Sequence, residues 1–146
     1  MLNKSLFSSK KSDWETPHEL FDALNKEFRF TLDVCASDKN AKCINYLTPK
    51  TDFLKWMVLP GERCFMNPPY GRQIGKFIKH AYMQSQVSDV FVCLLPARVD
   101  TSWWHNYIQD KAEVRFIRGR LKFVGAQHSA PFPSCIVIYR RRPNDS

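Results

Sequence analysis

The chain has five cysteines but no Cys-x-x-Cys pair, which argues against a zinc finger or a thioredoxin-like site. An odd number of thiols, with apolar neighbours around Cys64, Cys93 and Cys135, points to reduced, buried cysteines of a cytoplasmic protein rather than to a disulfide framework. No apolar run is long enough to cross a membrane, and the N-terminus has no continuous apolar core of the signal-peptide kind. There is no internal repeat, no low-complexity segment and no dividing linker. The 146 residues therefore read as one domain, long enough to bury a core without staples. Residues 1–13 read as a loose polar arm before a single domain over 14–146.

Hydrophobic residues make up 44% of the chain and aromatics 14%, which fits a folded protein and argues against disorder. The net charge of +8 is unevenly placed. Residues 1–110 hold 14 basic and 12 acidic side chains, whereas residues 111–146 hold 8 basic and 2 acidic. A basic C-terminal third suggests a phosphate-rich partner, though a solvated basic surface has the same composition. Arg98 follows an apolar run, and Arg118, Arg120 and Lys122 alternate along an expected strand. All four are candidate phosphate contacts.

Thr16-Pro17-His18-Glu19 reads as a capping box with proline at the first helical position, and Leu20, Phe21, Leu24 and Phe28 continue it as an amphipathic helix over 17–27. Strands are expected at Phe30–Val34, Cys43–Leu47 and Arg63–Met66, with a loop or short helix over 35–42 and a turn-rich break at Thr48–Asp52. The stripe Ile74, Phe77, Ile78, Ala81, Tyr82 predicts a helix over 73–85. Val90–Leu95 is a continuous apolar run, the mark of a parallel strand buried on both faces. Thr101–Asp110 predicts a helix capped by Thr101 or Ser102, with Trp103, Trp104 and His105 as packing residues. Val114–Ile117, Leu121–Val124 and Cys135–Tyr139 predict three late strands. Alternating strands and helices followed by closely spaced strands imply an α/β sheet, mostly parallel with an antiparallel edge and helices on both faces.

Asn67-Pro68-Pro69-Tyr70 stands directly after a strand and before a loop and helix, where ligands bind in open α/β sheets. The prolines offer carbonyls without N–H groups, and Asn67 adds a side-chain carbonyl. Such a cluster of acceptors suits an –NH2 group, whose two hydrogens it can hold. Holding them localises the nitrogen lone pair and aims it at an electrophile. Tyr70 supplies a flat ring on which a flipped-out base can stack. A sulfonium methyl group is an electrophile that requires no metal and no covalent enzyme intermediate, so catalysis reduces to positioning and electrostatics in an in-line displacement. No general base is evident, and the amino proton can leave to water.

In order along the chain, Trp14–Phe21, Leu32–Ala36, Phe65–Gly71, Leu94–Arg98, Gly119–Phe123 and Ala130–Ser134 together resemble the phage-type DNA N6-adenine methyltransferases of the Dam family. The resemblance implies a Rossmann-like methyltransferase fold that takes S-adenosylmethionine at the carboxyl edge of its sheet and acts on double-stranded DNA. It implies that Asp33, Cys35 and Ala36 lie near the cofactor's methionine part, that Trp14, Thr16 and Pro17 wall that end, and that Asp52 meets the adenosine. Phe132 becomes the second face for a flipped adenine. A cytoplasmic setting follows, in a bacterial host cell if the gene is carried by a phage or prophage. Two features depart from the family pattern: Leu32–Ser37 has no glycine, and no segment is large enough for a separate target-recognition domain. Monomer and homodimer both remain open.

The same –NH2 grip serves RNA adenine, cytosine N4 and protein glutamine. A catalytically silent DNA-binding module of the same fold is the reading from a different class.

Overall fold

Val90–Pro96 (β3) is buried along its whole length and occupies the middle of a five-stranded sheet. In the computed structural model, which describes residues 14–141, the other strands are β1 (Leu32–Asp33), β2 (Arg63–Met66), β4 (Glu113–Phe116) and β5 (Ser134–Arg140). Their spatial order is β1-β2-β3-β5-β4. β1, β2 and β3 pair in parallel, whereas β5 runs antiparallel to both β3 and β4. The antiparallel region is thus the β5–β4 side, and the reversed strand β5 lies one position in from the edge. The arm expected at 1–13 and the distal basic residue Arg142 lie outside the described residues.

Side-chain alternation assigns the helices to opposite faces. Phe65 and Val92 share a register position and hence a face. On that face packs α1 (His18–Phe28), whose Phe21 ring sits 5.2 Å from Phe65. Cys64, Phe91 and Tyr139 share the other face. There Phe53, in a 3-10 turn at Phe53–Lys55, lies 5.7 Å from Phe91. Tyr82 of α2 (Ile74–Gln84) lies 5.6 Å from Tyr139, whose hydroxyl donates to the Tyr107 carbonyl of α3 (Ser102–Tyr107). Both faces of the central strands are therefore dry, which is why Val90–Leu95 shows no polar alternation. Each large side chain fully buried there contributes about 1.5–3 kcal/mol.

Thr101 is the cap of α3, accepting from the Trp104 N–H at 3.3 Å. Trp104 is buried, the packing role expected of it, whereas His105 is exposed and bonds the Val99 carbonyl instead of packing. Burial raises all five thiols above their ordinary range, so they stay neutral. No described helix is long and apolar enough to cross a membrane.

Three local expectations are corrected. Thr16 does not cap α1: Pro17 occupies the cap position with no side-chain bond, because the Thr16 hydroxyl is committed to Asn67, 51 residues away. The segment Cys43–Leu47 makes a single bridge, Tyr46 to Asp33, rather than a strand. Leu121–Val124 is not a strand at all. It belongs to a loop over 117–133 in which Phe123 is buried while Arg118, Arg120 and Lys122 are exposed, so these three cations do not share a strand face.

Candidate active site

β1, β2 and β3 end on the same side of the sheet, and their carboxyl ends deliver Asp33, Asn67 and Pro96 to one edge. A cavity of about 430 Å³ opens there, a volume within the ordinary range for small-ligand sites. It unites Asn67, Pro68 and Pro69 with Trp14, Thr16, Asp33, Cys35, Ala36 and Asp52. Of the residues expected at the cofactor and catalytic positions, Pro17 and Tyr70 do not line it.

Asp33 is 3% exposed. Its two carboxylate oxygens accept the Cys35 and Lys42 backbone N–H groups at 3.2 and 3.1 Å. Burial pushes its carboxyl up to about 6, against the pull of those two hydrogen bonds and the Lys42 charge. Lys42 also lines the cavity, its ammonium 3.1 Å from Glu15 Oε2 and almost covered. The lining also includes Thr48, Pro49, Asp52, Phe53 and Phe77, with the two phenyl rings stacked at 6.4 Å. Asp52 holds φ at +61°, uncommon for a residue with a Cβ, and its carboxylate caps the 3-10 turn through the Leu54 N–H. It is therefore both a cap and a wall of the cavity.

Asn67 has the most specific geometry. Its Nδ2 donates to the Trp14 carbonyl and to Thr16 Oγ1, the latter at 3.0 Å. Its Oδ1 is buried and has no hydrogen-bond partner among the described residues. A buried unsatisfied acceptor ordinarily costs about 1–3 kcal/mol, so one kept at a cavity wall calls for a donor from a ligand.

Tyr70 departs from the expectation of an open stacking surface. It is buried, and its hydroxyl donates to the Leu94 carbonyl at 2.9 Å. Burial holds that hydroxyl neutral, well above the ordinary tyrosine range. Phe132 meets its ring at 5.6 Å and a steep angle, and Phe123 meets it perpendicularly at 6.4 Å. The Trp14 ring completes the group, 5.2 Å from Phe123 and 5.4 Å from Phe132. Tyr70 and Phe132 touch, so no base-wide gap separates them. Backbone bonds from Val124 to Glu15 and from Ala130 to Leu121 tie the 117–133 loop beside this cluster.

The basic C-terminal third divides in two. Arg115 forks onto Glu27 with both contacts at 2.7 Å and also reaches Glu113, which Arg140 joins at 3.1 Å. Both guanidinium groups lie over the Phe28 ring. These charges are internally matched at the β4–β5–α1 corner. Arg98, Arg118, Arg120 and Lys122 show no ion pair among the described residues, and Arg118, Arg120 and Lys122 are exposed on the loop beside the aromatic cluster.

Local sequence reading missed Glu15, Lys42, Asn40, Phe53 and Phe77. Ser37 and Asn40 do carry a signal: they cap each other's backbone N–H groups at 2.7 and 3.3 Å, a Ser-x-x-Asn turn readable in the sequence. Glu15 and Lys42 carry none, because each is defined by a partner 27 residues away.

The DNA N-6-adenine-methyltransferase (Dam) family model matches residues 4–141. The chain is 33% identical over 133 residues to the DNA N-6-adenine-methyltransferase of Haemophilus phage HP1 (strain HP1c1), covering 85% of this chain and 73% of that protein. It is 31% identical over 109 residues to the DNA N-6-adenine-methyltransferase of Escherichia phage T1, covering 74% of this chain and 45% of that protein; it therefore spans less than half of that relative. Among solved structures, the 23S rRNA methyltransferase ErmE superposes with a TM-score of 0.50 at 13% identity, covering 98% of this chain and 70% of the other. That likeness concerns the fold alone, which is the Rossmann-like methyltransferase fold expected from the sequence.

Proposed function

The chain belongs to the DNA N-6-adenine-methyltransferase (Dam) family, and from that membership we propose that it methylates the N6 amino group of adenine in double-stranded DNA, using S-adenosylmethionine. The observation that carries the site assignment is the buried, partnerless Oδ1 of Asn67 at the wall of a cavity that also holds buried Asp33.

The residues present suit the cofactor's chemistry. The Asp33 carboxylate and Lys42 ammonium complement the ammonium and carboxylate of an amino-acid tail. The Phe53 and Phe77 rings, with Asp52 as acceptor, suit a purine nucleoside. Cys35 and Ala36 add a neutral stretch of wall. When bound, S-adenosylmethionine supplies an electrophilic methyl group on a sulfonium centre.

The chain's own residues then act on the acceptor. Asn67 Oδ1 takes one amino hydrogen, and the carbonyl of Pro68, which has no N–H to compete, takes the other. With both hydrogens held, the nitrogen lone pair leaves the conjugated plane and is directed into the cavity. Tyr70 and Phe132 provide the faces for a base taken out of the stack, once their mutual contact opens. Arg98, Arg118, Arg120 and Lys122 hold the phosphates that orient the duplex. The proton released from the amino group passes to water.

Transfer of labelled methyl to duplex DNA, RNA and protein, followed by nucleoside analysis, tests this reading. N6-methyladenine from DNA is the expected product. Label confined to RNA or protein, or no heat of S-adenosylmethionine binding in calorimetry, would replace it with another acceptor or with a silent DNA-binding module.

The divided charges make a separate prediction. Neutralising Arg118, Arg120 or Lys122 to alanine should each weaken DNA binding and lower the slope of log affinity against log salt by about 0.9 for every phosphate left without its cation. Arg115→Ala should leave that slope unchanged, because its charge is already matched by Glu27 and Glu113. The check is fluorescence anisotropy with a labelled duplex across a salt series.

A further inference from the structure

We infer that Thr16 is a positioning residue: it holds the Asn67 amide in place while the Trp14 carbonyl fixes which way that amide faces, so that oxygen and not nitrogen is presented to the acceptor amino group. The inference rests on the proposed role of Asn67 and adds the device that makes that role possible.

An asparagine side chain is nearly symmetric in shape, and its two flipped forms fill the same space. They are opposite in chemistry. With Oδ1 toward the substrate, Asn67 accepts an amino hydrogen. With Nδ2 there, it would present donors to donors, and an –NH2 group would be repelled. Packing cannot choose between the forms, so hydrogen bonding must.

The Trp14 carbonyl makes that choice, and Thr16 holds the chosen form. The Trp14 carbonyl can only accept, so it admits Nδ2 and rejects Oδ1. Thr16 Oγ1 takes the second amide hydrogen at 3.0 Å. Both hydrogens of Nδ2 are thereby spent inside the protein, and Oδ1 is left partnerless at the cavity wall. The flipped form would set Oδ1 against the Trp14 carbonyl oxygen; the Thr16 hydroxyl, which can donate as well as accept, holds the amide in place while the carbonyl sets its direction.

This also explains why Thr16 abandons the helix-cap role that its sequence context suggests. Thr16 is 2% exposed, and α1 begins at its side with no side-chain cap. A cap would satisfy an N–H at the start of α1; the observed bond satisfies an N–H of the reacting side chain instead.

The test uses Thr16→Val, which keeps the shape and removes the hydroxyl, and Thr16→Ser, which restores it. Three quantities are measured: the single-turnover rate of methyl transfer to duplex DNA at saturating cofactor, the KM for DNA, and S-adenosylmethionine affinity by calorimetry. Thr16→Val should slow transfer by about 10- to 100-fold, within the range for loss of one positioned polar group, while KM and cofactor affinity stay within about threefold. Thr16→Ser should recover most of the rate. A wild-type rate in Thr16→Val overturns the inference. So does a parallel loss of rate and cofactor affinity that serine rescues together, which would make Thr16 a cofactor contact.

A second measurement does not depend on activity or on the variants folding. In ¹⁵N-labelled wild-type protein, the side-chain amide hydrogens of Asn67 should exchange with water far more slowly than those of exposed asparagines. Exchange at the exposed rate overturns the clamp. If the wild-type protein methylates no DNA, the proposed function fails on its own, and the exchange experiment still decides the clamp.

Discussion

Asn67→Ala should lower methyl transfer to DNA by roughly a thousandfold, the scale seen when one pre-aimed hydrogen-bonding group is removed from a reaction centre. S-adenosylmethionine affinity and DNA affinity should both stay within about threefold, because the residue contributes no charge to either. The substitution also leaves the Trp14 carbonyl and the Thr16 hydroxyl without their Nδ2 partner, so a loss of about 1–3 kcal/mol in stability is expected alongside. Thermal melting of the variant separates that loss from the chemical one: a folded, cofactor-binding and inactive protein is the expected result. Asn67→Asp is more discriminating. A carboxylate accepts hydrogens well, but its second oxygen would face the Trp14 carbonyl. Activity at neutral pH should therefore be poor and should rise as pH falls, because the protonated carboxyl can donate to that carbonyl and again present a bare oxygen. Full activity in Asn67→Ala would remove Asn67 from the reaction centre.

The second large effect concerns Asp33. Its carboxyl is raised from an ordinary 3.8 to about 6, chiefly by burial. The sign of the consequence differs between the free and the loaded protein. In the free protein the folded chain binds this proton more tightly than the unfolded chain does. Stability from this group therefore increases as pH falls through 6 toward 4, by up to about 3 kcal/mol, and is lost as pH rises. Cofactor binding runs the other way, because an ammonium group is held by the charged carboxylate. Affinity for S-adenosylmethionine should fall about tenfold between pH 7.5 and pH 5, as Asp33 takes up its proton. The cofactor-induced rise in Tm should shrink over the same interval. Asp33→Asn should weaken binding at pH 7.5 by about 30-fold or more, the scale for removing one partner of a buried charge pair, and should abolish the pH dependence. Calorimetry at three pH values checks both; a pH-independent wild-type affinity would detach Asp33 from the cofactor.

Elements whose burial follows from their own residues are legible in the sequence. Val90–Leu95 announces a central strand because both of its faces are covered, and the Ile74–Tyr82 stripe announces α2 because one face is. The Asn67–Pro69 cluster is legible because it combines a strand end with an asparagine carbonyl and two prolines that have no N–H to donate. What sequence conceals depends on distant partners. Thr16-Pro17-His18-Glu19 satisfies every local rule for a cap, yet Asn67 wins the hydroxyl from across the fold. Leu121-Lys122-Phe123-Val124 alternates like a strand, but Phe123 is buried against Trp14 and Tyr70 rather than against a neighbouring strand. The basic third looks uniform in sequence because nothing local marks Arg115 as the partner of Glu27, 88 residues away. Tyr70 reads as an open surface because its neighbours in space, Phe123 and Phe132, come from a loop more than fifty residues later.

The contact between Tyr70 and Phe132 has a consequence of its own for the proposed methylation. A base that enters between these rings competes with a phenyl group carried on the same chain, present at an effective concentration no solute can match. Every base therefore meets an apparent affinity equal to its intrinsic affinity multiplied by the fraction of time the two rings stand apart. That fraction is the same for all four bases, so the closed rings set how strongly a base binds without setting which one. In the proposed reaction, the choice of adenine is left to the acceptors that follow the strand.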